Sequence, residues 1–295
     1  YIYLFMYSEN NHLNIQLKIW MIVLLLMIIM IILVGGLTRL TDSGLSITTW
    51  ELFIGSLPPL TTEKWSEYFN LYKTIPEFKE QNFNMSISEF KFIFWWEWAH
   101  RQLGRLIGLT VLIPMIYFTF KNGSWILKKY GIIFILVCLQ GFIGWYMVSS
   151  GLVDRVDVSH YRLSLHLFTA FIILSIVFWK FLQLTNLKEN QTSIRLYLIK
   201  FFILLIFLQL IIGAFVSGMD AGKIYNSWPM MGSNFFPDDS RYDEFLTLKV
   251  FDNPSIVQFL HRLLAYLIVV NYIYLLFLAF KETNKVVLKP VLIIG

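Results

Sequence analysis

The chain has 295 residues, of which 57% are hydrophobic, 18% aromatic and only 15% charged, and its mean hydropathy is +0.63. That balance excludes an ordinary soluble domain and points to an all-α polytopic membrane protein. The formal net charge of +5 is concentrated in short connections, where it marks topology, and implies no nucleic-acid partner.

The first apolar run, Ile19–Leu37, ends in "VGGLTRLTDSGLSITTW". The outer connection that follows, 41–91, carries two helix-start signals: Thr61 as an N-cap before "EKWSEYFNLY", and a capping box in "SISE" at Ser86–Glu89. Short helices lying over the heads of the spans are therefore expected there. The second span, Trp96–Phe120, opens within "FWWEWAHRQLGRLIGLTVL" and carries Glu97, His100, Arg101 and Arg105. The third, Tyr130–Ser149, contains Cys138; as the only cysteine it excludes disulfides and thiolate metal sites. The fourth, Leu163–Trp179, is preceded by His160 and Arg162 and contains His166.

The fifth span, Leu196–Ser217, runs into "IIGAFVSGMDAGKIYNSW". Its Gly213, Asp220, Gly222 and Trp228 repeat Gly35, Asp42, Gly44 and Trp50 at one offset of 178 residues. A second outer connection, 218–253, is acidic on balance with little periodicity, and the sixth span, Ile256–Phe280, is headed by His261-Arg262 as the second is by His100-Arg101. A seventh span begins at Val286 and is cut off at Gly295; since the chain also starts at Tyr1, both ends read as truncated. The repeat predicts two pseudo-symmetric halves, 18–185 and 194–295, with sites in corresponding places. Lysines and arginines gather in connections 120–130, 180–200 and 281–289, so these, with the amino terminus, are expected on the cytoplasmic or matrix side.

His100, His166 and His261 enter their spans from the outer side at matched depth, each followed four residues later by Gly104, Ala170 or Ala265. Positions four apart share a helix face, leaving room for a flat group beside each imidazole. Haem iron takes axial imidazoles, and Arg101, Arg105, Arg162 and Arg262 are candidates to pair with propionates at the membrane edge. Snorkelling to the interface is the competing account of each arginine. His160 and His166, six apart, point about 120° from one another on a helix; the matched depth favours His166, and His12 lies in the frayed amino-terminal segment. Glu97 is the one acid inside a span, about 60° from His100 around the helix. A buried acid there is expected to work in proton transfer unless it merely pairs with Arg101 or Arg105. The residue three before His261 is Gln258, so chemistry is expected in the amino-terminal half and a helper haem in the other.

Four segments, "PPLTTEKWSEYFNLYKTIPEF", "EFKFIFWWEWAHRQLGR", "VSHYRLSLHL" and "MDAG…NSWPMM", resemble haem A synthase in the form shared by mitochondria and alphaproteobacteria, over about residues 18 to 280. The resemblance implies eight spans in two four-helix bundles, of which about six and a half are present. It implies oxidation of a methyl group of haem O to the formyl group of haem A for cytochrome c oxidase, in a bacterial plasma membrane or mitochondrial inner membrane. Glu97, His100 and His166 then belong to the substrate-haem site and His261 to a haem B site, with the fourth histidine of the family beyond Gly295. Delivery of haem O by haem O synthase and an electron acceptor in the lipid bilayer are implied partners; homo-oligomerisation stays open. His160 stands where the family usually has a non-ligand, and the first outer loop lacks the cysteine pair of the other bacterial form. A di-haem electron-transfer subunit of the cytochrome b kind explains the histidines but not Glu97, and a transporter does not explain the histidines.

Overall fold

The computed structural model describes residues 2–51, 54–185 and 194–281. Its helices are α1 (Ile2–Leu40), α2 (Thr62–Tyr72), α3 (Pro76–Glu80), α4 (Ile87–Asn122), α5 (Trp125–Asp154), α6 (His160–Leu184), α7 (Leu196–Gly218) and α8 (Pro254–Lys281), with short 3-10 turns between them. Six helices are long and apolar enough to cross a membrane, as composition requires, and no named strand occurs among the described residues. The chain is a multi-pass membrane protein. The seventh run at Val286 lies outside the described residues.

Local chemistry explains the starts. The Thr61 hydroxyl accepts from Lys64 N–H to open α2, and Pro76 opens α3. Ser86 and Glu89 form the expected capping box, but it opens α4 itself rather than a separate surface helix. Nothing in residues 87–95 breaks a helix, so the spanning helix begins outside the apolar stretch and carries Glu97 and His100 well inside it.

Two compact units result. The first holds α1 to α5 with the start of α6 and its part from Thr169 on; the second holds Leu163–Phe168 of α6 with α7 and α8. In the first, α1, α4, α5 and α6 meet around Trp20, Met21, Leu24, Val111, Tyr130 and Val177, and the Trp20 indole N–H donates to the Thr110 carbonyl at 2.8 Å. Aromatic rings of α2 (Trp65, Phe69, Tyr72) pack on Phe90 and Phe94 of α4. In the second unit, α7 and α8 pack through Phe202, Leu275 and Ala279, and nearer the outer loop through Ile212, Phe215 and Val257. The segment bearing His166 joins this unit through Ser164, whose hydroxyl donates to the Ile211 carbonyl at 3.2 Å, and through Phe168 against Phe207. Leu33, Ile113, Ile135 and Val270 are exposed on their helices, as lipid-facing residues should be.

Candidate functional site

In the first unit α1 ends at Leu40, and Asp42 takes a left-handed conformation (φ 48°) that turns the chain back over α4. Aspartate tolerates this region better than bulky residues do. The returning strand of loop meets Glu97, which is 3% exposed. Its Oε2 accepts from the Ile47 N–H and the Ser46 hydroxyl, each at 2.7 Å. Its Oε1 accepts from Arg101 Nη2 at 2.6 Å and Nε at 3.0 Å. Arg101 also donates to the carbonyls of Ile47 (2.8 Å) and Thr49 (3.2 Å), and lies over the Trp50 ring at 5.7 Å. Four donors converge on one carboxylate, a charge-assisted arrangement, and most of the Arg101 guanidinium is taken up by protein. Arg101 is thus a loop clamp with little left for a propionate. One turn on, Arg105 donates to the Glu51 carbonyl at 2.8 Å and Gln102 to those of Gly55 and Ser56.

His100 points from the same stretch of α4 to α1, where its ring lies against Gly35; a Cβ there would stand 2.8 Å from the imidazole Cε1. The room for the ring comes from a glycine of the neighbouring helix. Gly104, expected to make that room, instead faces Ile31, while Gly108 has open space beside it.

The second unit repeats this construction residue by residue. Asp220 is left-handed (φ 51°). The His261 ring lies against Gly213, where a Cβ would stand 3.2 Å from Cε1. Arg262 donates to the carbonyls of Tyr225 and Ser227, both at 2.8 Å. Tyr225 and Ser227 follow Ile47 and Thr49 by the same 178 residues. Gln258 stands where Glu97 stands: its Oε1 accepts from the Tyr225 N–H at 3.3 Å and its Nε2 donates to the Tyr225 carbonyl at 2.9 Å. The shared job of Glu97 and Gln258 is to hold the loop; what differs is the ionisable group.

The other candidates are more scattered. Arg162 lies over the Tyr146 ring at 4.4 Å. His160 is buried at the first turn of α6, its ring 4.2 Å from that of Tyr161. His166 is half-buried and belongs by its contacts to the second unit. Three positions were not anticipated: Ser46, Gln209 and Glu77. Gln209 could have been found as the lone polar side chain in "FFILLIFLQLIIG"; Ser46 and Glu77 carry no such signal. Among the described residues no three His, Cys, Asp or Glu side chains gather to hold a bare metal ion. The fit is to a group that brings its own equatorial ligands: the His100 and His261 imidazoles each rest on a glycine, and His261 Nδ1 is buried without a hydrogen-bond partner.

A family model described as cytochrome oxidase assembly protein matches residues 18–294. A heme A synthase of Pelagibacter ubique is 51% identical over 277 residues, covering 93% of this chain and 82% of that protein. One from Rhodopseudomonas palustris is 44% identical, covering 84% and 70%, and one from Rickettsia bellii is 44% identical, covering 90% and 81%. No solved structure matches.

Proposed function

The chain belongs to the cytochrome oxidase assembly protein family, and from that premise we propose that it is an oxidoreductase that converts the methyl group of haem O to the formyl group of haem A. The synthase name carried by relatives over most of their length supports this reading, and nothing among them supports an electron-transfer subunit. If water supplies the oxygen atom, turning a methyl into a formyl group releases four electrons and four protons, and an electron acceptor in the membrane is the proposed partner that takes those electrons.

His100 is the proposed holder of the substrate haem, and His261 of haem B. Haem B, when bound, supplies an iron that exchanges single electrons. The protein supplies position: glycines admit the rings, and the Arg101 and Arg262 clamps fix each loop to the helix that bears its histidine. Arg105 and Arg162 are the proposed propionate partners, and Arg262 keeps part of its guanidinium for the same use. Glu97 pairs with Arg101 and is still the proposed proton-transfer group, on the strength of one observation: its twin makes the same loop contact without an acid. The amino terminus is proposed to lie on the cytoplasmic side, and haem O synthase is the proposed source of substrate.

The test is Glu97→Gln. Because the Gln258 amide holds the corresponding loop of the second unit beside Arg262, the variant should fold and retain haem. Conversion, followed by chromatography of extracted haems, should fall at least a hundredfold, within the range for loss of an acid–base group. Conversion at the parent rate would reduce Glu97 to a loop anchor.

A further inference from the structure

We propose that the cavity between α4 and the loop that follows α1 seats the carbonyl edge of a lipid-soluble quinone, which takes the electrons of the oxidation. The proposal rests on the reading of the chain as an enzyme that oxidises a methyl group of haem, and it names the electron acceptor. The cavity measures about 280 Å³ with its open mouth, below the range of pockets that bury a whole ligand, so it takes the edge of one ring. The rings of Tyr68, Phe94 and Trp98 form walls, and Glu51, Arg101 and Arg105 also line it. Trp98 stands two residues before His100, about 200° around α4, so the cavity is separate from the imidazole face.

Two donors in this cavity are unspent. Trp98 Nε1 and Thr49 Oγ1 are both buried without a hydrogen-bond partner, although buried indole N–H groups normally find one. The backbone of Thr49 is fixed, because its carbonyl accepts from Arg101 at 3.2 Å. Charges in the walls balance. Arg101 is paired with Glu97 at 2.6 Å, and Arg105 Nη2 and Glu51 Oε2 both stand against Gly55, 3.2 and 3.8 Å from where its Cβ would be. No net charge is left to hold an anion, so two unspent donors call for a neutral acceptor, a carbonyl oxygen. Flat aromatic walls favour a carbonyl carried on a ring.

The second unit has a cavity at the corresponding place, lined by Pro229, Phe259, Arg262 and Tyr266. Phe259 stands for Trp98, Pro229 for Glu51 and Tyr266 for Arg105. Ser227 stands for Thr49, but its hydroxyl is spent on the Met230 carbonyl at 2.9 Å. The indole donor, the unspent hydroxyl and the acid are thus confined to the half that carries Glu97. Two quinones balance the reaction. With water as the oxygen source, each methyl group gives up four electrons and four protons; each quinone takes two of each, its two carbonyls becoming hydroxyls. Glu51 is half-buried and accepts the Tyr68 hydroxyl at 3.0 Å, and it is the acid in the wall that can pass protons to the ring.

The experiment uses the full-length protein with its haems in phosphatidylcholine nanodiscs, where lipid ester carbonyls are present in excess, and decylubiquinone as the probe. Binding is followed by equilibrium titration, and haem A by chromatography after extraction. The parent should bind the quinone saturably over the lipid background. Trp98→Phe installs the residue of the other half, and Thr49→Val removes the hydroxyl at nearly constant shape. Each should keep the haem content and weaken quinone binding by about threefold to tenfold, the scale of one hydrogen bond. Binding that both variants leave at the parent's strength overturns the site. So does a parent that makes haem A but binds no quinone, and in both cases the reading of the reaction stands. If the quinone binds through these donors yet haem A never forms, with quinone or any other acceptor, that reading falls and the acceptor role with it. Should Trp98→Phe fail to accumulate, Thr49→Val decides alone, with binding at the parent's strength counting against the proposal.

Discussion

A methyl group added at Gly35 would stand 2.8 Å from Cε1 of His100 and 3.2 Å from its Nδ1, well inside the optimal carbon contact of about 3.5–4.0 Å. Neither α1 nor the ring can yield without moving the imidazole. Gly35→Ala should therefore cost most of the haem held by the amino-terminal half. Gly213→Ala, with its nearest approach at 3.2 Å, should be milder at the other site. The haem-to-protein ratio and absorption spectra of the two variants check the order. Glu77 makes a second argument from a single side chain. It is 4% exposed, and its carboxylate accepts from the Tyr72 hydroxyl at 2.7 Å. Burial pushes its pKa up from 4.5 to about 8, and the negative charges of Glu97, Asp157 and Asp42 add to the rise against the lowering effect of Tyr72. The folded outer loop thus holds a proton that the unfolded chain releases. Its contribution to stability is full below about pH 4.5, declines as the pH rises and is lost once the pH has passed about 8. Glu77→Gln keeps the Tyr72 contact and should flatten that decline. Thermal melts between about pH 5 and pH 9 would show it, and an unaltered slope would assign the pH dependence to other groups.

Among the elements, α4 is the one whose extent changes the reading of the site. Apolarity marks only the stretch inside the membrane, whereas the helix starts where Ser86 and Glu89 satisfy its first N–H groups. The outer turns it adds carry Phe90 and Phe94, the platform for α2. Ser86→Ala should cost about 1 kcal/mol of helix-end stability and loosen this platform without touching the span. Faster amide hydrogen exchange confined to residues 87–95 is the expected result, and exchange unchanged there would mean that α2 packing, not the cap, secures the end. The loop after α1 and the loop after α7 are held by the same device, a guanidinium across two backbone carbonyls. That is why a duplicated sequence pattern reappears as duplicated geometry.

For the molecule as a whole, charge decides how the chain threads the bilayer. Lys121, Lys128 and Lys129 flank the short connection between α4 and α5, while residues 41–86 and 219–253 are long and acidic on balance. By the positive-inside rule we propose the first on the cytoplasmic side and the two long loops outside. Single cysteines at Asn70 and Ser240, in a chain with Cys138 replaced by serine, should react with an impermeant thiol reagent applied from outside. One at Gly123 should react only after permeabilisation. The reverse pattern would invert the topology.

Much of this protein is local information and could be read along the chain. Six spans, the caps at Thr61 and Ser86 and the repeated turn after α1 and α7 follow from apolar run length, from hydrogen-bonding side chains within a turn of a helix start, and from repeated spacing. The pairing of Glu97 with Arg101 was also within reach, since residues four apart meet on one helix face. What could not be read is which helix faces which. Spans that are apolar nearly all round carry no stripe to set their rotation, so contacts between distant residues wait on the packing of small side chains against neighbours. Only packing decided that Gly35 and Gly213 admit the imidazoles, that Gly104 does not, and that Gln209 reaches His261. It decided, too, that the His166 segment sits with α7, and that Glu77, on a short polar helix, is buried against Tyr72 and Asn82.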